Sequence, residues 1–200
     1  MKVLAILGSR NPQGKTAELT QALLDGLEDK GGTTEKIFLP ALKLEACRQC
    51  EDDGWGICRS EGRCIIGDDF DDLVRKIDEA DAVVFSTPVY FSDLSESMKT
   101  FTDRLRRCTA PIIGRTGSKK NFKPVLGICY AGGGGGGAEP CCANLTSVLA
   151  KCGFEVIDML PARRQNFPIK VKTLRIIGQW LVDHVSSGEW ERVIPKPSSS

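Results

Sequence analysis

The chain has 200 residues, 41% of them hydrophobic and 26% charged, with a formal net charge of +1. This length favours one domain with a single core. The near-zero charge gives no field that would attract nucleic acid or an acidic membrane, so neither is expected as a partner. No segment approaches the ~18 consecutive apolar residues of a membrane span, and the N-terminus lacks signal-peptide features. A cytoplasmic protein is expected.

The first part of the chain alternates between strand and helix patterns. A continuous apolar run over residues 3–7 predicts a central strand that is buried on both faces. Apolar residues at helical spacing predict a helix over residues 16–27, which Gly31 and Gly32 end. A second short strand is predicted over residues 35–39.

The same alternation continues to the end of the chain. Asp68 and Asp69 offer helix-capping carboxylates before a helical pattern over residues 70–77. Further strands are predicted over residues 81–87, 124–129 and 154–160, and further helices over residues 94–107, 139–151 and 170–185. Five βα repeats with short connections predict an α/β fold, a parallel sheet with helices on both faces.

The predicted domain spans residues 1–190. It contains a cysteine-rich insert after the second strand, over about residues 41–67. The Pro- and Ser-rich residues 191–200 are expected to form a disordered tail. Ligands of parallel α/β sheets bind beyond the carboxyl ends of the strands, so the loops after strands one, three and four are the candidate site.

The loop after strand one has the features of a phosphate site. It joins a buried strand to a helix N-terminus, where free N–H groups and the helix dipole favour an anion. Glycines allow close approach of the backbone, hydroxyls add donors, and basic side chains add positive charge. The residues expected at the phosphate are Ser9, Arg10, Asn11, Gly14, Lys15 and Thr16.

Two alternatives for this loop remain. The segment ends in Gly14-Lys15-Thr16, as a nucleoside-triphosphate P-loop does, but five residues rather than four separate Gly8 from Gly14. Strand three also runs into residues 86–88 rather than into an aspartate that would hold magnesium. A monophosphate fits better, while a nucleotide triphosphatase and a capped turn without ligand stay open.

The loop after strand three places two aromatic rings and a proline at the same edge of the sheet. A flat ring can lie against this segment, while the backbone near Val89 and Tyr90 hydrogen-bonds its polar edge. The candidate residues are Thr87, Pro88, Val89, Tyr90 and Phe91. The alternative is that the aromatic side chains only cover the top of a core helix.

Six consecutive glycines, residues 132–137, follow strand four. By position, Ala131, Gly132 and Gly133 should meet the other side of the bound ring, where glycine permits close approach or mobility. The alternative is a flexible linker without contacts.

These segments resemble the NADPH-dependent FMN reductase family of flavodoxin-like proteins, and within it the iron–sulfur flavoproteins. The resemblance covers residues 1 to about 110 and is carried by Gly8-Ser9 through Gly14 and Thr16, by residues 86–91, and by the cysteine-rich insert. It implies a flavodoxin-like three-layer sandwich with strand order 2-1-3-4-5. It also implies that the first loop binds the phosphate of FMN and that Pro88, Val89 and Tyr90 flank the flavin ring.

The first loop departs from the usual family pattern, Gly-Ser-Pro-Arg. Arg10 stands where the family has proline, and Asn11 stands where it has arginine. Arg10 is therefore expected to replace the arginine that would contact the phosphate. The resemblance also implies NAD(P)H as cosubstrate and a homodimer or homotetramer.

Four cysteines of the insert lie within eighteen residues, in the spacing C-x2-C-x7-C-x5-C. They are Cys47, Cys50, Cys58 and Cys64. Such density is typical of a soft-metal site. The candidates are a [4Fe–4S] cluster, free thiols in a cap over the flavin, and zinc, with disulfides disfavoured in a reducing compartment. The other five cysteines are expected to pack as small hydrophobic residues.

The sequence therefore predicts an FMN-binding oxidoreductase that passes electrons from NAD(P)H to an unknown small-molecule or protein acceptor. The flavin supplies the redox chemistry, so no catalytic side chain is expected. One alternative is an iron–sulfur flavoprotein that carries electrons from a ferredoxin-like donor without nicotinamide turnover. A phosphate-binding protein without flavin is a second alternative.

Overall fold

A computed structural model describes residues 1–116 and 123–185. Its centre is one parallel sheet of five strands in the order β2-β1-β3-β4-β5. The strands are β1 (Lys2–Leu7), β2 (Thr33–Phe38), β3 (Ala82–Pro88), β4 (Pro124–Ala131) and β5 (Glu155–Arg163). The predicted fold class and strand order are confirmed.

Helices cover both faces of the sheet. They are α1 (Lys15–Asp29), α2 (Ile57–Glu61), α3 (Phe70–Glu79), α4 (Glu96–Thr116), α5 (Ala138–Lys151) and α6 (Phe167–Val185). One core cluster joins the sheet to α1 and α6, and another joins it to α3, α4 and α5. The described helices include none that is long and apolar enough to cross a membrane.

The predicted elements are all present, with different ends. The largest change is α4, which continues through Pro111 to Thr116 rather than ending at residue 107. The short helix α2 lies inside the cysteine-rich insert and was not predicted, because it buries none of its residues and so shows no apolar periodicity. The expected tail lies outside the described residues.

Two glycines allow α1 and α6 to touch. A Cβ atom on Gly26 would lie 2.0 Å from the carbonyl oxygen of Arg175, and one on Gly178 would lie 2.1 Å from that of Leu23. Any side chain would therefore collide with backbone. This contact fixes α6 against α1, the helix that begins at the phosphate loop.

The two ends of the insert are held side by side. The backbone N–H of Lys43 donates to the Asp69 carboxylate at 2.7 Å, and the N–H of Asp69 donates to the Lys43 carbonyl at 3.1 Å. Asp68 accepts from the N–H of Glu45 at 2.8 Å and from that of Phe70 at 3.2 Å. Asp68 thus accepts from the first N–H of α3, whereas Asp69, the N-cap residue, makes no side-chain cap bond and binds the beginning of the insert instead.

Candidate functional site

The loop after β1 is shaped largely by Asn11. Its carbonyl oxygen accepts from the N–H of Gly14 at 3.0 Å, and its side-chain oxygen accepts from the N–H of Gln13 at 3.0 Å. The Ser9 hydroxyl accepts from the N–H of Asn11 at 3.3 Å. These bonds leave Gly14 as the N-cap of α1, and no side chain caps this helix. Its N-terminus is therefore available to an anion.

The basic residues of this loop lie in different places. The Lys15 ammonium pairs with Glu18 at 2.7 Å and sits 4.5 Å from the centre of the Phe167 ring. Arg10 instead pairs with Glu96, on the first turn of α4, at 3.6 Å. The Arg10 side chain is 84% exposed. Lys15, in contrast, lines the pocket at the start of α1 that is described next.

One pocket brings the three predicted loops together. It is open to solvent and has a volume of about 490 Å³, which is within the size range of cofactor sites. The first loop contributes Lys15 and Thr16, and the second contributes Pro88, Val89 and Tyr90. The loop after β4 contributes Tyr130, Ala131, Gly132, Gly133 and Gly136, of which Tyr130 and Gly136 were not among the predicted residues.

The remaining candidate residues do not line this pocket. Ser9, Arg10 and Phe91 line a neighbouring groove, and Asn11 is exposed at the tip of the loop. Thr87 is fully buried below the pocket, where its hydroxyl accepts from the N–H of Ser95 at 3.1 Å. Thr87 thus connects the end of β3 to the segment that enters α4.

The aromatic segment after β3 ends in a tight turn. Tyr90 and Asp93 exchange two backbone hydrogen bonds, of 3.1 and 2.9 Å. The two residues between them, Phe91 and Ser92, have φ values of 50° and 65°. Phe91 is fully exposed and Tyr90 is 56% exposed, so neither ring covers a core helix. The left-handed conformation is costly for a bulky residue, which is typical of a functional segment.

The glycine-rich loop is in close contact with its surroundings at Gly135 and Gly137, whereas Cβ atoms on Gly133, Gly134 and Gly136 would meet nothing within 4 Å. Gly137 has φ +85°, and a Cβ atom there would lie 2.8 Å from the Cα of Ser92. The Gln165 side chain donates to the carbonyl oxygen of Gly134 at 3.0 Å. At the base of the pocket, the N–H of Val89 donates to the carbonyl oxygen of Tyr130 at 2.9 Å. The two loops that would frame a ring therefore support each other.

A second pocket gathers the cysteines of the insert. Cys47, Cys50, Cys58 and Cys64 all line it, although their positions span helix α2 and two loops. Cys108, from α4, lines the same pocket and is 5% exposed. Cys108 is buried in the core cluster with α3, α4 and α5, as expected, and also lines this pocket. All nine cysteines are unpaired, and the other four are buried as expected.

The thiol pocket and the candidate flavin pocket are separate cavities. The two pockets share no lining residue. Between Glu96, at the start of α4, and Cys108, the helix rises by about 18 Å at ~1.5 Å per residue. The thiol pocket therefore lies beside the middle of α4, while the beginning of the insert, at Leu42 and Leu44, lines a groove with Tyr90 and Phe91.

The donors of this pocket are thiols, the ligand type that iron–sulfur clusters and zinc both use. Within residues 1–116 and 123–185, no three His, Cys, Asp or Glu side chains are gathered as the ligands of one metal ion. A zinc site needs all its sulfurs about 2.3 Å from one centre. A cluster binds each thiolate to a different iron atom, which matches thiols spread around the walls of a pocket.

Arginines surround these thiols. Arg104 is 1% exposed and donates to both carboxylate oxygens of Asp68, at 2.6 and 2.9 Å. Burial alone would lower the pKa of Arg104, but Asp68 and Cys64 raise it above its ordinary value. Burial, with the nearby Cys64 and Cys58, raises the pKa of the Cys108 thiol to about 12. The Arg107 guanidinium donates to the carbonyl oxygen of Gly54 at 2.6 Å.

The sheet order and the site at its carboxyl edge define a flavodoxin-like protein. Among solved structures, a flavone reductase matches with a TM-score of 0.64 and 22% identity, covering 94% of this chain and 64% of its own. The NAD(P)H:quinone oxidoreductase from Methanothermobacter marburgensis matches with a TM-score of 0.66 and 21% identity, covering 90% and 96%. At these identities the likeness concerns the fold.

The chain belongs to the NADPH-dependent FMN reductase family, whose model matches residues 1–167. An iron–sulfur flavoprotein of Archaeoglobus fulgidus is 37% identical over 105 residues, which is 52% of this chain and 46% of that protein. One of Methanocaldococcus jannaschii is 38% identical over 106 residues, or 53% and 52%. The aligned part thus spans about half the length of these relatives.

Proposed function

We propose that the protein is an FMN-binding oxidoreductase that transfers electrons from NAD(P)H to an acceptor. One observation carries this proposal. Lys15 and Thr16, at the uncapped start of α1, line the same pocket as the loops after β3 and β4. A phosphate site and a surface for a flat ring therefore meet in one cavity, as a flavin mononucleotide requires.

The residues of the pocket divide into two groups. The Thr16 hydroxyl, the Lys15 ammonium and the first N–H groups of α1 would hold the phosphate. The segments Pro88 to Tyr90 and Ala131 to Gly133 would hold the ring between them. Ser9 and Asn11 preorganise the loop through their own hydrogen bonds. When bound, FMN supplies the redox chemistry, while the protein supplies binding and orientation.

The open side of the pocket suits a second reactant. The pocket is not enclosed, and Tyr90 beside it is 56% exposed. A nicotinamide or an acceptor can therefore approach without the opening of a lid. The family description and the names of the matching reductases favour NAD(P)H as the donor.

The first test measures the binding of FMN to the purified protein, with the quenching of flavin fluorescence as the readout. Thr16→Val removes the hydroxyl at the phosphate end with little change of volume, and we expect it to weaken binding about tenfold, because a hydrogen bond to a charged group contributes about 1.5–3 kcal/mol. The matched control is Thr173→Val on α6, whose hydroxyl bonds only to the Ile169 carbonyl at 3.0 Å. Equal effects of the two substitutions would count against the assigned phosphate site.

The second test is anaerobic reduction of the FMN-loaded protein by NADPH and by NADH. We expect the flavin absorption to bleach with at least one of them. Bound flavin that only dithionite reduces would reject the nicotinamide reaction. A protein that binds no FMN would reject the proposed function as a whole.

A second candidate function is electron transfer without nicotinamide turnover, by a flavin together with a [4Fe–4S] cluster. The thiol pocket and the names of the relatives favour it. Cys47, Cys50, Cys58 and Cys64 are its proposed cluster ligands within the insert. It predicts reduction by a ferredoxin-like donor and none by NADPH. The homodimer or homotetramer, the cytoplasmic location and the acceptor class stay predictions.

A further inference from the structure

One buried donor of the thiol pocket has no partner. The Arg104 guanidinium uses Nη1 and Nη2 for Asp68 and for the carbonyl oxygen of Glu45. Its Nε is buried and has no hydrogen-bond acceptor in the described part of the chain. Buried donors without an acceptor are rare in proteins, and a donor attached to a cation is the most costly to leave unpaired. Nε therefore lacks a well-placed acceptor, and the side chain that interacts with this guanidinium from within the pocket is the Cys64 thiol.

The missing acceptor would lie among sulfur atoms. Arg104 and Cys108 both line the thiol pocket, with Cys58 and Cys64 opposite them. They are four residues apart on α4, so both side chains face the pocket from one side of the helix. Cys108 is nearly buried and is carried by a core helix, whereas Cys50 is exposed.

We propose that α4 completes the cluster site of the insert: Cys108 is a thiolate ligand of a [4Fe–4S] cluster together with three of the four insert cysteines, and Nε of Arg104 donates a hydrogen bond to one of the cluster-bound sulfurs. The inference rests on the electron-transfer candidate above and revises its ligand set, because Cys108 replaces one of the four insert cysteines as the fourth thiolate. Each ligating thiol gives its proton to solvent when it binds iron.

The charges around the pocket suit an anionic group. Arg48 and Arg107 line it in addition to Arg104. A cluster with four thiolates carries net negative charge, and both nearby charge and hydrogen bonds to its sulfurs set its reduction potential. Asp68 balances the charge of Arg104 and fixes its guanidinium through Nη1 and Nη2. These bonds leave the Nε–H group available for a sulfur atom in the pocket.

The ligand assignment is tested by iron and sulfide analysis of the full chain. Wild type, Cys108→Ser, Cys108→Ala and Cys152→Ser are purified anaerobically and supplied with ferrous iron and sulfide. Cys152 is the matched control, because it is buried but lies outside the pocket. We expect about four iron atoms per chain in wild type and in Cys152→Ser, and less than about one in both Cys108 variants. Wild-type iron content in both Cys108 variants would overturn the assignment, as would a wild-type protein that takes up only zinc.

The hydrogen bond is tested by Arg104→Lys, which keeps the positive charge beside Asp68 and removes the Nε donor. Arg75→Lys, on the exposed face of α3, is the control. We expect a more negative midpoint potential in Arg104→Lys than in wild type and in Arg75→Lys, measured per cluster on samples whose iron content is determined in parallel. An unchanged potential would show that Arg104 is structural and has no bond to the cluster.

FMN content is measured in the same samples. The flavin pocket and the thiol pocket share no residue, so the two results are independent. Flavin-loaded Cys108 variants without iron would support the inference and also show that these variants fold. Wild-type protein with iron but without flavin would reject the proposed FMN function and leave the ligand assignment standing.

Discussion

The guanidinium of Arg104 and the carboxylate of Asp68 form a two-pronged ion pair, with side chains 1% and 6% exposed. Arg104 belongs to the core helix α4, and Asp68 ends the cysteine-rich insert. Arg104 also donates to the carbonyl oxygen of Glu45, near the beginning of the insert, at 3.1 Å. This one side chain therefore attaches both ends of the insert to the sheet domain.

Removing the Asp68 carboxylate should strongly destabilise the folded protein. Asp68→Asn leaves the Arg104 charge buried without its counter-ion, so we expect the free energy of unfolding to fall by about 3–5 kcal/mol in urea denaturation. Asp72→Asn removes one of the two exposed acidic partners of Arg75, at 3.1 Å, and leaves Glu79 in place, so the free energy of unfolding should change by less than about 0.5 kcal/mol. Similar values for the two variants would show that the buried pair contributes no more than a surface pair.

The ion pair between Arg104 and Asp68 also predicts that the protein loses stability at acidic pH. Burial would raise the pKa of Asp68, but the hydrogen bonds from Arg104 and from two backbone N–H groups outweigh it and lower the pKa. A carboxyl group with a lowered folded-state pKa stabilises the protein above its unfolded pKa, near ~4, and this stabilisation is lost as pH falls through the folded value. Urea unfolding from pH 7 down to pH ~3 should show this loss in wild type and a shallower pH dependence in Asp68→Asn. Parallel pH profiles would contradict the assignment.

Because α1 and α6 are in close contact, adding one methyl group at Gly178 should clearly lower the free energy of unfolding. Gly178→Ala places a Cβ atom 2.1 Å from the carbonyl oxygen of Leu23 and 3.0 Å from the N atom of Leu27, which are both helix backbone. We expect a loss of about 1–3 kcal/mol in the free energy of unfolding. Gly67→Ala is the control, because nothing lies within 4 Å of its Cβ position, and it should be neutral or slightly stabilising. An unchanged stability of Gly178→Ala would mean that the helices are farther apart than described.

The turn after β3 should gain stability when its strain is relieved. Asparagine tolerates the left-handed conformation that Phe91 adopts at φ 50°, so Phe91→Asn should raise the free energy of unfolding by about 1 kcal/mol. Ile169→Asn also replaces an exposed apolar side chain, but at a helical position, and should not stabilise the protein. A destabilised Phe91→Asn would indicate that the phenyl ring makes a stabilising contact, for example with a second copy of the chain.

The fold was predictable because its signals are local. The strands β1 and β3 are buried on both faces and appear in the sequence as unbroken apolar runs. Five strands that alternate with helices leave few topologies once right-handed crossovers are required. The edge of the sheet that carries the site follows from the topology alone, which is why the three loops could be chosen in advance.

Part of the candidate site was not predictable. Tyr130 directly follows the strand that is predicted over residues 124–129, and its sequence position gives no sign of a binding role. In the structure it lines the pocket together with the loop that follows it. Arg10 reads as the cation for a phosphate, yet it pairs with Glu96, which is far away in the sequence. Such pairings depend on where side chains point after the chain has folded.

The sequence by itself determined the class of fold, the strand order implied by its family, the three loops at the ligand edge, and the cluster of cysteines in the insert. Only the tertiary structure decided which thiols and charges share a pocket. Arg104 and Asp68 are 36 residues apart, and Cys108 lies on a helix that begins far outside the insert. Local periodicity indicates burial, whereas contacts between distant segments arise only when the packed core brings them together.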